Sequence, residues 1–429
     1  MIKSCRIIFV FIGVISLSSF FSGIVLTDRA LAQTFQPTPI TLKASEALPQ
    51  QWLKGPNYTI KEAITNDGVV STYELDTNYG PVTVESTVLL LKRIHELMAL
   101  HKMEQLQGTD IFAKAAQGAA TGPLTTAEGL VQNPVGTVSA IGSGIGKFFG
   151  RVSDSMQSDD PYQASAVKSA LGQAASKREF AYQFGVDPYS PYPPLQKTLD
   201  SIAWTATSGS LTVKAAFSAI PGGVGTVVSL TGTADSLRSL IRDKTPAELQ
   251  AINAQRLSAM GIPDSLAKVF LNNFTYDPQE QTLLVGELEN MKNVRDKAVF
   301  IVAACSAQQE SMAVFMRVMA QLMGIYNERT KGAERFVEAD GLPLIRKKDG
   351  TVVGIFPVDR VAWTQRFANK EKAVSEAIRK MPRVKGKELR VVGTVDQRAR
   401  KALEDRGWKI EERFAEDLLK QMVAKAMSK

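Results

Sequence analysis

Two histidines and two cysteines are all that this 429-residue chain offers for the commonest nucleophile, base and soft-metal chemistry. His95 and His101 are separated by nearly two helical turns, so a single metal ion cannot easily take both, and a tetrahedral zinc site would still need two further ligands. Cys305 with either histidine has the residue types of a nucleophile and base pair, which must come within hydrogen-bond reach. Its place in an apolar repeat argues for packing instead, because a thiol there behaves as a small hydrophobe with a raised pKa. Cys5 lies in the N-terminal segment discussed below, so the chain without that segment has one cysteine and no intramolecular disulfide. No phosphate loop, nucleophile elbow, dinucleotide fingerprint or calcium-loop spacing occurs. Catalytic residues, cofactor and metal are therefore all expected to be absent. Asn57-Tyr58-Thr59 and Asn273-Phe274-Thr275 match the glycosylation triplet, a pattern common by chance.

Surfaces then become the carriers of function, and two kinds stand out. The first is rich in small residues. Gly142, Gly146 and Gly150 fall four apart beside an apolar stripe through Val138, Ile141, Ile145 and Phe148, a strip along which helices approach closely. Pro221, Gly222 and Gly223 interrupt residues 202–234, which hold a single charge, Lys214. On either side apolar residues recur every three or four positions, so the spacing predicts a helical hairpin over 202–241. The hairpin is read as the centre of a helical domain. The alternative is insertion into a bilayer, since each arm is about long enough to span one.

The second surface is basic. Arg379, Lys380, Arg383, Lys385, Lys387 and Arg390 crowd one connector and the strand after it, and the chain from Arg329 onward, with 25 Lys and Arg against 15 Asp and Glu, exceeds on its own the formal net charge of +8 of the whole. Lys3 and Arg6 precede an apolar run ending at Ala30-Leu31-Ala32, the order of a cleaved export signal over residues 1–32, with an uncleaved anchor as the alternative. In an exported protein a basic surface points to anionic lipid, a cell-surface polymer or an acidic protein partner rather than to nucleic acid.

The elements that position these surfaces follow in order. Residues 33–57 are polar and proline-bearing and read as an extended leader. Short alternations around Asn66-Asp67-Gly68 and Asn78-Tyr79-Gly80 predict about three antiparallel strands, and Leu90, Ile94, Leu97 and Leu106 a covering helix, so 58–107 reads as a small sheet plus helix. Residues 108–332 read as a helical domain. There the apolar positions between 284 and 326 keep a seven-residue repeat, which predicts one long helix over 281–330, a backbone of the domain or else a seam for self-association. Residues 333–429 read as a basic ββαβαβ module with a hairpin at Asp349-Gly350 and a terminal amphipathic helix. The class expected is mainly α with small α+β parts. The function expected is that of an exported, non-enzymatic structural or interaction protein of the cell envelope. A membrane-active hairpin protein and an enzyme without a recognised motif are the alternatives.

Overall fold

Strands form where β-branched and aromatic residues alternate with polar ones. In the computed structural model, which describes residues 35–121, 161–209, 211–220 and 232–417, β3 (Tyr58–Ile60), β4 (Ala63–Asn66), β5 (Ser71–Thr77) and β6 (Gly80–Glu85) bury Tyr58, Ile60, Ile64, Tyr73, Leu75 and Val84 on one face. Asp67 Oδ1 closes the β4–β5 turn by accepting the N–H groups of Val69 and Val70 at 2.9 and 2.8 Å. Gly68 takes φ +107° there, a value that suits glycine. The expected leader is not a free arm. Its Ile40–Lys43 forms β1 against β4, and Lys54–Gly55 forms β2 against β3, with α1 (Ala44–Ala47) and a 3-10 turn between them. Ala44, Leu48 and Trp52 are buried, and this apolar content outweighs the polar, proline-bearing composition around it. The sheet is antiparallel, in the order β1-β4-β5-β3-β2 with β6 on β5.

Helix α2 (Thr87–Gln107) begins at Ser86, whose side chain accepts Leu89 N–H, and buries Leu90, Ile94, Leu97, Leu100, Met103 and Leu106. The helical layer continues through α3 (Asp110–Thr121), α4 (Pro161–Phe184), α5 (Pro193–Gly209), α6 (Val213–Ser218), α7 (Gly232–Asp243), α8 (Pro246–Ala259), α9 (Asp264–Leu271), α10 (Pro278–Asn290), α11 (Ala298–Ala304) and α12 (Glu310–Thr330). α8 opens with the capping box read from Thr245 and Glu248.

Two expectations need correction here, and the hairpin over 202–241 falls partly outside the described residues, at 210 and 221–231. Among the described residues α5 packs on α3 and α4, and α7 on α4 and α10. Small residues permit close approach there. A Cβ on Gly209 would stand 1.9 Å from the carbonyl oxygen of Ala115, so α5 meets α3 there. The long helix over 281–330 is three helices. Met291 and Asp296, the latter at φ +59°, turn the chain after α10, the backbone of Arg295 bonds to Glu334 and Phe336, and an extended Gln309 restarts α12. The repeat persisted because α10 and α12 pack against each other, and Leu284, Leu288, Met319 and Met323 are buried within the chain. Finally, the class is mixed α/β rather than mainly α, since 55% of the described residues are helical and 19% lie in strands.

The last of those strands build a second sheet. β7 (Ala333–Ala339), β8 (Leu342–Lys347) and β9 (Thr351–Phe356) are antiparallel, and β11 (Gly386–Val391) and β13 (Trp408–Glu411) continue parallel to β9. The order is β13-β11-β9-β8-β7, with α13 (Gln365–Lys380) and α14 (Gln397–Glu404) as crossovers and a small parallel pair, β10 (Arg360–Val361) with β12 (Thr394–Val395). The expected ββαβαβ order thus lacked β7, whose charges at Glu334, Arg335 and Glu338 mask its alternation, and the two-residue β10 and β12. One hydrophobic cluster runs from Ala44 to Ala415 and includes residues of both sheets and the helices between them. Gly142, Gly146, Gly150, Pro221, Gly222, Gly223, residues 1–32 and residues 418–429, where most of the terminal amphipathic helix is expected, lie outside the described residues.

Candidate functional site

The basic residues are gathered by a turn and a loop that lace together. Asp349 Oδ1 accepts Thr351 N–H at 2.8 Å, and Gly350, at φ +91°, sits so close to the α13–β11 loop that a Cβ would lie 2.6 Å from the Arg383 carbonyl oxygen. Lys385 N–H donates to Gly350 O at 3.1 Å, and Arg346 Nη2 to Arg383 O at 3.4 Å. The β8–β9 turn therefore adds Arg346 and Lys348 to the predicted Arg379, Lys380, Arg383 and Lys385. Five of these six are exposed, and Arg346 is half-buried. Among the described residues, Lys348, Arg379, Lys380, Arg383 and Lys385 have no carboxylate partner, because Asp349 pairs with Lys347. Arg379 and Lys380 also occupy the last turn of α13, where positive charge complements the helix dipole.

Lys387 and Arg390 do not join this patch. Lys387 donates to Ser375 Oγ at 2.8 Å with its ammonium 4.8 Å from the centre of the Trp408 ring. Arg390 pairs with Glu388 and Glu411 and stacks over Tyr326 and Phe414 at 4.8 and 5.5 Å. Both are committed to packing.

The opposite end of this sheet is closed. Ligands of open parallel sheets settle beyond the carboxyl ends of the strands, but there Val392 N–H bonds Phe356 O, Gly393 N–H bonds Val358 O, and Phe414 N–H bonds Val391 O, at 3.2, 2.9 and 2.9 Å. A Cβ on Gly393 would fall 1.8 Å from Asp359 O. The chain's own backbone fills the crevice.

A second constellation escaped the sequence reading. Lys92 of α2 places Nζ 3.5 Å from Asp187, 3.5 Å from Asp277, 3.3 Å from Glu280 and 3.4 Å from Glu310. Arg93 pairs with Glu96 and, at 2.9 Å, with Glu310, and stacks over Tyr192 at 4.2 Å. Arg317 of α12 reaches Glu280 at 2.7 Å and Gln321 at 2.7 Å. Ser190 donates to Glu96 at 2.5 Å. The signal lay in α2, where Leu89, Arg93, Glu96, Leu100 and Met103 share one stripe and all are buried. Two charges on a buried stripe demand partners.

Burial and pairing divide these carboxyls. Burial opposes the charge of Glu280, but Arg317 and Lys92 outweigh it and hold the group at about 2. Burial, then the neighbouring Asp277, push Asp187 well above the carboxylate range, and burial also raises Asp277 and Glu96. Lys92 loses to burial but gains more from Glu280, Asp277 and Asp187, so its ammonium is held well above its ordinary value. Asp187, Asp277 and Glu280 offer oxygens within 4.8 Å of one another, a spacing that suits a metal ion, and the Lys92 ammonium already supplies a cation to all three.

The remaining candidates are placed apart. Burial, then Arg238, lower His95 to about 4 despite its bonds to the backbone of Phe184 and Gly185, so it is neutral. His101 meets Gln105 at 3.1 Å. Cys305 ends α11, half-buried, with its thiol pKa raised by burial. Both glycosylation triplets have engaged asparagines: Asn57 donates to Tyr79 and Glu104, and Asn273 to the carbonyl oxygens of Cys305 and Ala307. No described helix is long and apolar enough to cross a membrane. The chain matches no known protein family, no curated protein and no solved structure.

Proposed function

We propose that the protein is an exported, non-enzymatic interaction protein whose C-terminal module engages an anionic surface through Lys348, Arg379, Lys380, Arg383 and Lys385. The observation that carries this reading is the lacing of the β8–β9 turn to the α13–β11 loop, which concentrates cations without carboxylate partners at one end of the sheet. The closed crevice at the other end and the packed state of Cys305 and His95 favour binding over catalysis. Export rests on Lys3, Arg6 and the apolar run before Ala30-Leu31-Ala32.

The test uses the full chain and a variant carrying Arg379→Glu, Lys380→Glu, Arg383→Glu and Lys385→Glu. All four positions are exposed, so the fold should be kept, with the thermal midpoint lowered only modestly by the two acidic side chains placed in the last turn of α13. Vesicles containing phosphatidylglycerol should retain the wild type at about 0.1 M salt and release it at about 1 M, where the screening length falls to about 3 Å. Each basic residue near such a surface contributes about 1 kcal/mol, so the variant should not be retained at either salt. Equal retention of both proteins, or retention of neither, contradicts the reading.

A further inference from the structure

The strands β7, β9, β11 and β13 all begin at the end of the C-terminal sheet that carries the basic patch, since β8 is antiparallel to β7 and β9, and β11 and β13 continue parallel to β9. Three helices therefore finish there: α12 at Thr330 before β7, α13 at Lys380 before β11, and α14 at Glu404 before β13. A helix C-terminus carries about half a negative charge. An anion resting on the backbone at this end would meet that charge three times over, so an anionic partner has to be held off it by long cationic side chains.

The patch is part of a larger array of such side chains. Lys348 N–H donates to Gly332 O at 3.1 Å, which laces the β8–β9 turn to the α12–β7 connection as Lys385 N–H laces it to the α13–β11 loop. Lys331, which ends α12 at φ +51°, is exposed and among the described residues has no carboxylate partner. From Lys331 through Lys348 to Arg383 and Lys385 the array crosses from β7 to β11, three strand spacings or about 14 Å. It also crosses the layers. Lys387, in register with Val352 and Trp408, reaches Ser375 of α13, whereas the alternate residues Val353 and Ile355 pack in one cluster with α12, so the two helices cover opposite faces of the sheet. Lys331 thus stands on one side of the sheet end, and Arg379 and Lys380 on the other. Among the described residues no hydrogen bond or ion pair fixes the side chains of Lys331, Lys348, Arg379, Lys380, Arg383 and Lys385. They present charge over an area, without the few precisely placed polar groups that orient a small ligand.

Resting on the function proposed above, we infer that the partner is the headgroup layer of an acidic phospholipid bilayer, that Lys331 belongs to the contact, and that α12 and the sheet stand end-on to the layer. Unfixed cations spread in two dimensions match a plane of mobile phosphates, because each finds its own headgroup while the helix termini stay clear of the anions. The N-terminal sheet meets the module beyond the carboxyl end of β9, where Asp359 N–H bonds Val69 O at 3.0 Å, and is raised away from the layer.

Partition of the full-length protein onto vesicles of phosphatidylcholine and phosphatidylglycerol, at about 0.1 M salt, tests the contact. Lys331→Gln should lower the partition coefficient about fivefold, the effect of one basic residue near such a surface, and Lys331→Arg should restore it. Lys54→Gln removes the same charge from β2 of the N-terminal sheet, where Lys54 is exposed and has no carboxylate partner among the described residues, and should change nothing. Phosphatidylserine at the same mole fraction should serve as well as phosphatidylglycerol. If the wild type is not retained, or the variant with four glutamates binds equally well, the proposed function fails and the inference with it. If that variant is released while Lys331→Gln partitions like the wild type, or no more weakly than Lys54→Gln, the inference alone is overturned. Displacement by millimolar inorganic phosphate at matched ionic strength would mean a site for a single phosphate, and capture by soluble polyphosphate in preference to vesicles would mean a linear polyanion; either result also overturns it.

Discussion

Asp359 accepts the backbone N–H of Thr87 at 2.9 Å, tying the connection after β9 to the first turn of α2 across 272 residues of chain. Its other oxygen accepts Ser71 N–H at 2.7 Å. Around it, Asp359 N–H and Ala362 N–H bond the carbonyl oxygens of Val69 and Gly68 at 3.0 and 2.8 Å, and Gln36 N–H bonds Trp363 O at 2.8 Å. One half-buried side chain thus serves the N-terminal sheet, the covering helix and the C-terminal module together.

Removing that carboxylate should be expensive. Asp359→Ala leaves two inward N–H groups without an acceptor, at about 1 to 3 kcal/mol each, and the loss should appear as a lower midpoint in urea. Asp359→Asn keeps one acceptor and should cost less. The two proteins should also differ in pH dependence. Burial raises Asp359 to about 6 against the two N–H bonds that lower it. The wild type therefore holds this contribution in full below about pH 4 and loses it as pH rises to about 6. Across that interval the stability of Asp359→Asn relative to wild type should improve by about 2 to 3 kcal/mol. A constant difference between pH 4 and 7 would mean that Asp359 does not titrate there.

Cys305 gives a second expectation. Its half-buried thiol, with a pKa raised by burial, should react with a polar reagent at neutral pH much more slowly than a free thiol. Cys305→Ala removes a sulfur that packs on the core from its margin, so it should cost about 1 kcal/mol. Labelling of the native protein at the rate of the unfolded chain would return Cys305 to the list of reactive groups.

Local chemistry was legible in the sequence, and nonlocal pairing was not. The Asp349-Gly350 turn, the Thr245 and Glu248 capping box and the apolar stripe of α2 are each specified within a few residues, and each forms where expected. The exposed basic patch was legible in its α13–β11 half, but Arg346 and Lys348 join it only through the fold. The repeat through Leu284 and Met323 misled for a physical reason: helices packed on each other carry the same period, and periodicity does not record that Asn290 to Asp296 reverses the chain between them. Gly209 lets α5 approach α3 closely, but nothing local to it names Ala115 as the partner. Least legible was the cluster around Lys92, whose members come from four separate stretches of chain. Only Arg93 and Glu96, charged positions on a buried stripe, hinted at it.

Lys92 itself affords the most direct test of that cluster. Lys92→Met keeps most of the aliphatic stem and deletes the ammonium that lies within 3.5 Å of four carboxylates. Removing one partner of a buried charge network costs about 3 to 5 kcal/mol, because the remaining charges are left without compensation. The carboxylates have an escape, since Asp187 and Asp277 are already pushed up by burial and can take up protons once the cation has gone. Groups whose folded pKa lies above the unfolded value contribute stability on the acid side and lose it as pH rises. The variant should therefore be nearest to wild type at pH 5 and furthest from it at pH 8, where urea unfolding should show the full loss. An equal deficit at both pH values would mean that the damage is lost packing rather than uncompensated charge, and a deficit below about 1 kcal/mol at pH 8 would remove Lys92 from the centre of the network.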